Sequence, residues 1–206
     1  MVTMGDLSRQ PIGRMRQARH ATERGFTLLE VLVSILVLSI GVMGMVGLQA
    51  ASLNANRDAK YQSAAVRLAT ELGDMMRGNK DVAIVNATTN PYLIDYNGTL
   101  PTTTDCLATG CTSTLAVAQS EILGWLTRIH GSTGVPGELP TSQVKVCFDA
   151  TPYDANGRPQ WTCSNTGGTV VVKIGWVRPT VSASSAPSLD LSRPAVVMPV
   201  IAGSIT

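Results

Sequence analysis

Between Val31 and Asn56 the chain carries no Asp, Glu, Lys or Arg, an interval of 26 residues that includes VLVSILVLSIGVMGMVGL. A helix that crosses a bilayer needs about 20 consecutive, mostly apolar residues. The run therefore predicts a membrane-spanning helix. A buried core helix is the alternative, but such a helix carries a polar face, and the only interruptions here are Ser34, Ser39 and the small Gly41, Gly44 and Gly47. A secretory signal peptide fits poorly, because its apolar region runs to about 7–15 residues and precedes a small-residue cleavage site.

The same run accounts for a charged fraction of 15%, against about 25% in soluble globular chains. The remaining charge is segregated. Residues 1 to 24 hold Arg9, Arg14, Arg16, Arg19 and Arg24 against Asp6 and Glu23, a net +3, whereas all 206 residues together are +2. Everything beyond this leader is thus at −1. By the positive-inside rule the Arg-rich leader stays in the cytoplasm and residues beyond about 54 lie on the far side of the membrane. With no basic cluster outside the leader, nucleic-acid binding is not expected. The length suits a single head domain beyond the span, at about 100–200 residues per domain.

At the boundary of leader and span stands Arg24-Gly25-Phe26-Thr27-Leu28-Leu29-Glu30-Val31. Gly25 puts no side chain in the way of a protease approaching the backbone. Glu30 is an acid at the edge of an apolar run, and an ionisable residue in a membrane segment is a functional candidate by default. Its plainer role is to sit at the positive end of its own helix dipole, worth about 0.3–1 kcal/mol. The junction resembles that of the type IV prepilin family. The resemblance implies that prepilin peptidase cuts between Gly25 and Phe26 and methylates the new amino terminus. It also implies that Glu30, fifth in the mature chain, pairs with the amino terminus of a neighbouring subunit during assembly. A start at Met15 would leave an eleven-residue leader, MRQARHATERG, and the same mature chain.

Beyond the span, Tyr61, Ala65, Leu68, Leu72 and Met75 recur at helical spacing while Arg57, Lys60, Arg67 and Asp74 lie off that face. A helix from Phe26 to Arg77, stopped by Gly78, would have 52 residues and be about 78 Å long. Residues 79 to 114 are rich in Thr, Asn, Asp, Gly and Pro and read as a loop with little regular structure. Leu115, Ile122, Trp125, Leu126 and Ile129 predict a second helix over about 114–130, broken by Gly131, Gly134, Pro136 and Gly137. Strands are predicted over Gln143 to Asp149, Gln160 to Ser164 and Thr169 to Arg178, with a turn at Asn156-Gly157, and Ala195 to Ile201 as an edge strand because of Pro199. The expected fold is α+β: a long N-terminal helix packed on a small antiparallel meander. The segments are a leader (1–25), a membrane or filament-core helix (26–53), its amphipathic continuation (54–77) and a periplasmic head (78–206).

Four cysteines, Cys106, Cys111, Cys147 and Cys163, lie beyond the membrane, where an oxidising compartment favours disulfides. Proximity pairs Cys106 with Cys111 and Cys147 with Cys163, and the second pair is centred on the Asn156-Gly157 turn, as expected across a hairpin. Zinc is the competing reading, but these spacings with the single exported His130 fit no common site, so no metal and no cofactor are expected. His130 reads as a solvated residue at a helix C-terminus, complementing the dipole. Glu121 reads as a surface acid beside the core residue Trp125. No catalytic constellation emerges.

The stretches GVMGMVGLQAASL and LATELGDMMRGN, the Cys106 to Cys111 loop, the Glu121 to Trp125 helix and the GELP-to-Cys147 strand together resemble the minor pilins of the prepilin family. That resemblance implies a non-enzymatic subunit of the complex that primes pilus assembly, anchored by a single pass in the inner membrane and then built into the filament near its tip. Its implied partners are prepilin peptidase, other minor pilins, the major pilin and a tip-associated adhesin. Two alternatives stand beside it: a pseudopilin of type II secretion, which shares the junction, and a membrane-anchored periplasmic enzyme, whose leader would remain uncleaved.

Overall fold

The computed structural model describes residues 25–96, 100–101, 106, 110–140, 142–177 and 191–203. The leader up to Arg24 and residues 178–190 of the Ser-rich tail lie outside them. The chain divides into two units, Met1–Gln49 and Ala50–Thr206. Helix α1 (Leu28–Gly78) begins in the first and ends in the second.

In the first unit every described residue is solvent-exposed. This part of α1 is long and apolar enough to cross a membrane, with a mean hydropathy of 2.6 over its best 18-residue window and none of that window buried. Its two serine hydroxyls are satisfied within the helix: Ser34 donates to the Glu30 carbonyl and Ser39 to the Ile35 carbonyl, each at 2.7 Å. The apolar surface is therefore not broken by unpaired hydroxyls.

The second unit is an α+β head. After α1 come α2 (Lys80–Ala83), β1 (Ile94–Tyr96), α3 (Thr114–His130), β2 (Gly131–Ser132), β3 (Val135–Pro136), β4 (Ser142–Phe148), β5 (Val170–Trp176) and β6 (Val196–Val200). The main sheet is antiparallel in the order β1-β4-β5-β6, and β2 and β3 form a separate small hairpin. Alternation along β4 and β5 turns Val144, Val146, Phe148, Val170, Val172, Ile174 and Trp176 to one face. There they form a single core with Ala65, Leu68, Ala69, Leu72 and Met76 of α1 and Ala118, Ile122, Trp125, Leu126 and Ile129 of α3. Ser113 caps α3 by accepting the Ala116 N–H at 3.1 Å, and such caps stabilise a helix by about 1 kcal/mol.

Several sequence expectations need correction. Residues 79–114 are not structureless, since they contain α2 and the edge strand β1, whose partner Val144–Val146 lies some fifty positions on. On α1, Met76 is buried whereas Met75 is only partly so. The break after α3 is a hairpin in which a Cβ on Gly131 or Gly137 would strike the opposing backbone. No strand forms at Gln160 to Ser164. Residues 149–169 instead make a strap between β4 and β5 whose one ladder contact is the isolated bridge Tyr153↔Pro159. Side chains take the strap's hydrogen bonds: Gln160 Nε2 donates to the Thr151 carbonyl and Lys173 Nζ to the Thr162 carbonyl. The third strand of the meander is β6, at the sheet edge where Pro199 costs no central ladder bond.

Candidate functional site

The amino-terminal junction is built by the first turn of α1. Thr27 accepts the Glu30 N–H on both its carbonyl, at 3.0 Å, and its Oγ1, at 3.2 Å, so the helix starts from a hydroxyl cap. Glu30 thereby falls in the first turn, where unpaired backbone N–H groups make a negative charge favourable. Gly25 has open space around it, and Phe26 is 82% exposed. Phe26, Glu30 and Ser34 share one shallow groove with Val31, Ile35 and Leu38. The structure thus brings the ring of Phe26 and the carboxylate of Glu30 to one side of the helix. Positions 41, 44 and 47 also face open space, so their glycines form a smooth strip with no neighbour in the single chain.

The head holds two disulfides, Cys106–Cys111 and Cys147–Cys163. The second does not bridge a hairpin, as the sequence suggested, but ties the strap to β4. Cys147, Asp149 and Cys163 lie close together, yet both sulfurs are consumed in the disulfide and Asp149 pairs with Lys173 at 2.6 Å. They offer no free thiolate to a metal.

His130 ends α3, as its position in the sequence suggested, but it is half-buried rather than solvated: its ring stacks on Tyr96 with centroids 3.8 Å apart, and its Nδ1 meets Ser142 Oγ at 2.9 Å. Burial pushes its pKa down to about 4, so the ring is neutral at pH 7 and lends no charge to the helix end. Among the described residues no carboxylate bonds the His130 ring, and its Nε2 is buried without a partner. Glu121 is also more than a surface acid, since it accepts a hydrogen bond from the Tyr92 hydroxyl. Burial first, and then this carboxylate, push the Tyr92 phenol well above its ordinary range. Both side chains fasten the segment around β1 to α3. Sequence reasoning missed them because their partners are distant in the chain.

Residues 21–46 match the family model described as the prokaryotic N-terminal methylation motif. No curated protein and no solved structure matches the chain. The matched span covers the Gly25–Phe26 junction, Glu30 and most of the charge-free run. An apolar amino-terminal helix carrying this motif fits membrane anchoring and incorporation into a pilus, with processing by prepilin peptidase and assembly alongside other pilins. The long helix and small antiparallel head are consistent with a pilin-like fold, and the motif supports a type IV pilin-like protein, a pilin or a pseudopilin.

Proposed function

We propose that the chain is a minor pilin of the type IV pilus, similar to PilV, which joins other minor pilins to prime filament assembly and sits near the tip. The observation that carries this reading is Gly25-Phe26 followed by Glu30 at the head of an apolar helical stretch that is exposed throughout its first unit, to Gln49. An apolar face of that size is unstable in water and must be covered by lipid or by like helices. A carboxylate at its edge supplies the countercharge for a neighbour's amino terminus, which lowers the cost of packing it there. Cleavage after Gly25 and methylation of Phe26 are the steps that create that amino terminus. The head carries two disulfides suited to an exported subunit, and a role as a structural rather than a catalytic component follows.

The deciding measurement is amino-terminal mass spectrometry of the membrane fraction from cells with an active prepilin peptidase. A methylated Phe26 terminus is the expected result. An intact Gly25–Phe26 bond would exclude both pilin and pseudopilin readings and favour a membrane-anchored enzyme. Recovery of the mature chain in sheared pili separates the pilus from a secretion system, as a pseudopilin would be missing from them.

A further inference from the structure

Strand β5 and the end of β4 are buried on both faces of the main sheet, and the second face there has a cover of its own. Cys147, Val171, Lys173 and Gly175 point away from α1 and α3 and lie outside the main core, yet all four are buried. Over Cys147, Lys173 and Gly175 the cover is the strap. Trp161 lies so close over Gly175 that a Cβ there would sit 2.8 Å from its ring, and its Nε1–H donates to the Leu191 carbonyl at 2.8 Å. Lys173, fully buried, donates to the Thr162 carbonyl at 2.7 Å and pairs with the equally buried Asp149. Asp149 in turn accepts the N–H groups of Thr151 at 2.9 Å and Ser164 at 3.1 Å. A segment this long without helices or strands of its own is uncommon in a compact domain and needs specific fasteners.

Those fasteners are unequal. Opening the strap returns water to Lys173 and Asp149, and recovered hydration offsets much of the lost attraction between them. The hydrogen bonds likewise exchange for bonds to water. The Cys147–Cys163 bond has no such replacement while it stays oxidised, and Cys163 is only half-buried, on the strap side. The core on the other face does not depend on the strap, because Phe148 pairs directly with Val170 and closes the β4–β5 register.

We propose that residues 149–169 form a redox-closed cover: oxidation of Cys147 and Cys163 clamps it on the sheet, and reduction lifts it, bringing Lys173, Asp149 and the Val171 face into solvent while the main core stays folded. The reductant is a dithiol. One of its thiolates attacks Cys163 Sγ, the Cys147 thiolate leaves and takes up a proton, and the second thiol resolves the mixed disulfide. Two electrons and two protons reach the protein, and the reductant departs as its own disulfide. The device belongs to the head alone and is independent of whether the chain serves a pilus or a secretion system.

The test uses full-length protein in detergent micelles, treated with an amine-acylating reagent and read by peptide mass spectrometry, with exposed Lys60 as the reference rate. In the oxidised protein Lys173 should react slowly. After dithiothreitol, and in Cys147→Ser/Cys163→Ser without it, Lys173 acylation should rise at least roughly tenfold, as expected for local rather than global opening. Hydrogen exchange over 114–130 and 142–148 should remain slow throughout. Cys106→Ser/Cys111→Ser should leave Lys173 as protected as in the oxidised parent. The proposal is overturned if Lys173 stays protected without the Cys147–Cys163 bond, if its exposure coincides with loss of protection in α3 and β4, or if removing the other disulfide releases it equally.

Discussion

The indole Nε1–H of Trp125 donates to the backbone carbonyl of Leu68 at 2.9 Å, so the most buried aromatic side chain of α3 is hydrogen-bonded to the main chain of α1 inside the core. A Trp is usually buried only where its N–H finds an acceptor. Here that requirement fixes the height of α3 along α1, because a shift by one turn would leave the indole unpaired. Trp125→Phe should keep most of the packing and cost about 1 kcal/mol for the lost bond. Trp125→Ala should cost about 3–5 kcal/mol through the cavity it leaves. Urea unfolding of the two variants measures both values. An undiminished stability of Trp125→Phe would show that packing, not the hydrogen bond, sets the register.

His130 makes the head acid-sensitive. Burial lowers its pKa from 6.5 to about 4, so the folded state binds this proton less readily than the unfolded chain. Its contribution is complete above pH 6.5 and is lost as pH falls toward 4. Each tenfold loss of proton affinity corresponds to about 1.4 kcal/mol, and the ring's partial contact with solvent reduces the realised effect to roughly 1–2 kcal/mol. Thermal unfolding at pH 7 and pH 4.5 should show a smaller drop in His130→Gln than in the parent. An unchanged drop would assign the acid sensitivity to the carboxylates.

Among those carboxylates Asp149 is the best placed. Burial alone would raise its pKa, but the hydrogen bond from Lys173 and those from Thr151 and Ser164 outweigh this and hold it below the ordinary carboxylate range. Its stabilising contribution is therefore present above the unfolded pKa and lost as pH falls through the lowered folded value. Lys173→Met leaves this acid buried without its countercharge, a change that costs about 3–5 kcal/mol when a buried pair is broken from one side. Lys173→Met/Asp149→Asn should recover part of that loss. Chemical denaturation of the single and double variants gives the coupling directly, and additive losses would mean that the two groups do not act as a pair.

Glu30→Ala tests the assembly role separately from processing. Cleavage after Gly25 should proceed, while the amount of mature chain in sheared pili should fall by about tenfold, the factor for roughly 1.4 kcal/mol of lost pairing. Immunoblots of membrane and pilus fractions distinguish the two steps. Undiminished recovery in pili would remove Glu30 from the assembly contact.

Gly131 closes α3 at φ 86°, and a Cβ there would overlap the Val135 carbonyl oxygen. Gly131→Ala meets both a left-handed backbone and a steric overlap, and each such strain costs about 1–3 kcal/mol. A melting temperature within a degree of the parent would show that the β2–β3 hairpin can shift to accept it.

The parts of the fold visible in the sequence are those whose signal is local. The apolar period of α3 and the valine run of β5 depend on neighbours a few positions away. The junction at Gly25 to Glu30 is likewise contiguous, so its chemistry is present in the primary sequence. Three-residue β1 is too short to show a period, and its ladder to Val144–Val146 closes a long excursion of the chain. Strap residues around Trp161 and Cys163 alternate like a strand, but Asp149, Gln160 and Lys173 compete for the backbone hydrogen bonds that a strand would use. For His130, position at a helix end argues for a cation, and only the tertiary contact with Tyr96 reverses that inference.

The direct pairing of Phe148 with Val170 has a practical side. Opposed residues in an antiparallel ladder stand only about 4.5–5.5 Å apart, so the chain leaves the sheet and re-enters it through a narrow doorway. The connection between the two jambs must match that width and still bring Trp161 and Cys163 over the sheet, so a short foreign epitope fits only at its far tip, among the exposed Ala155 to Gly157.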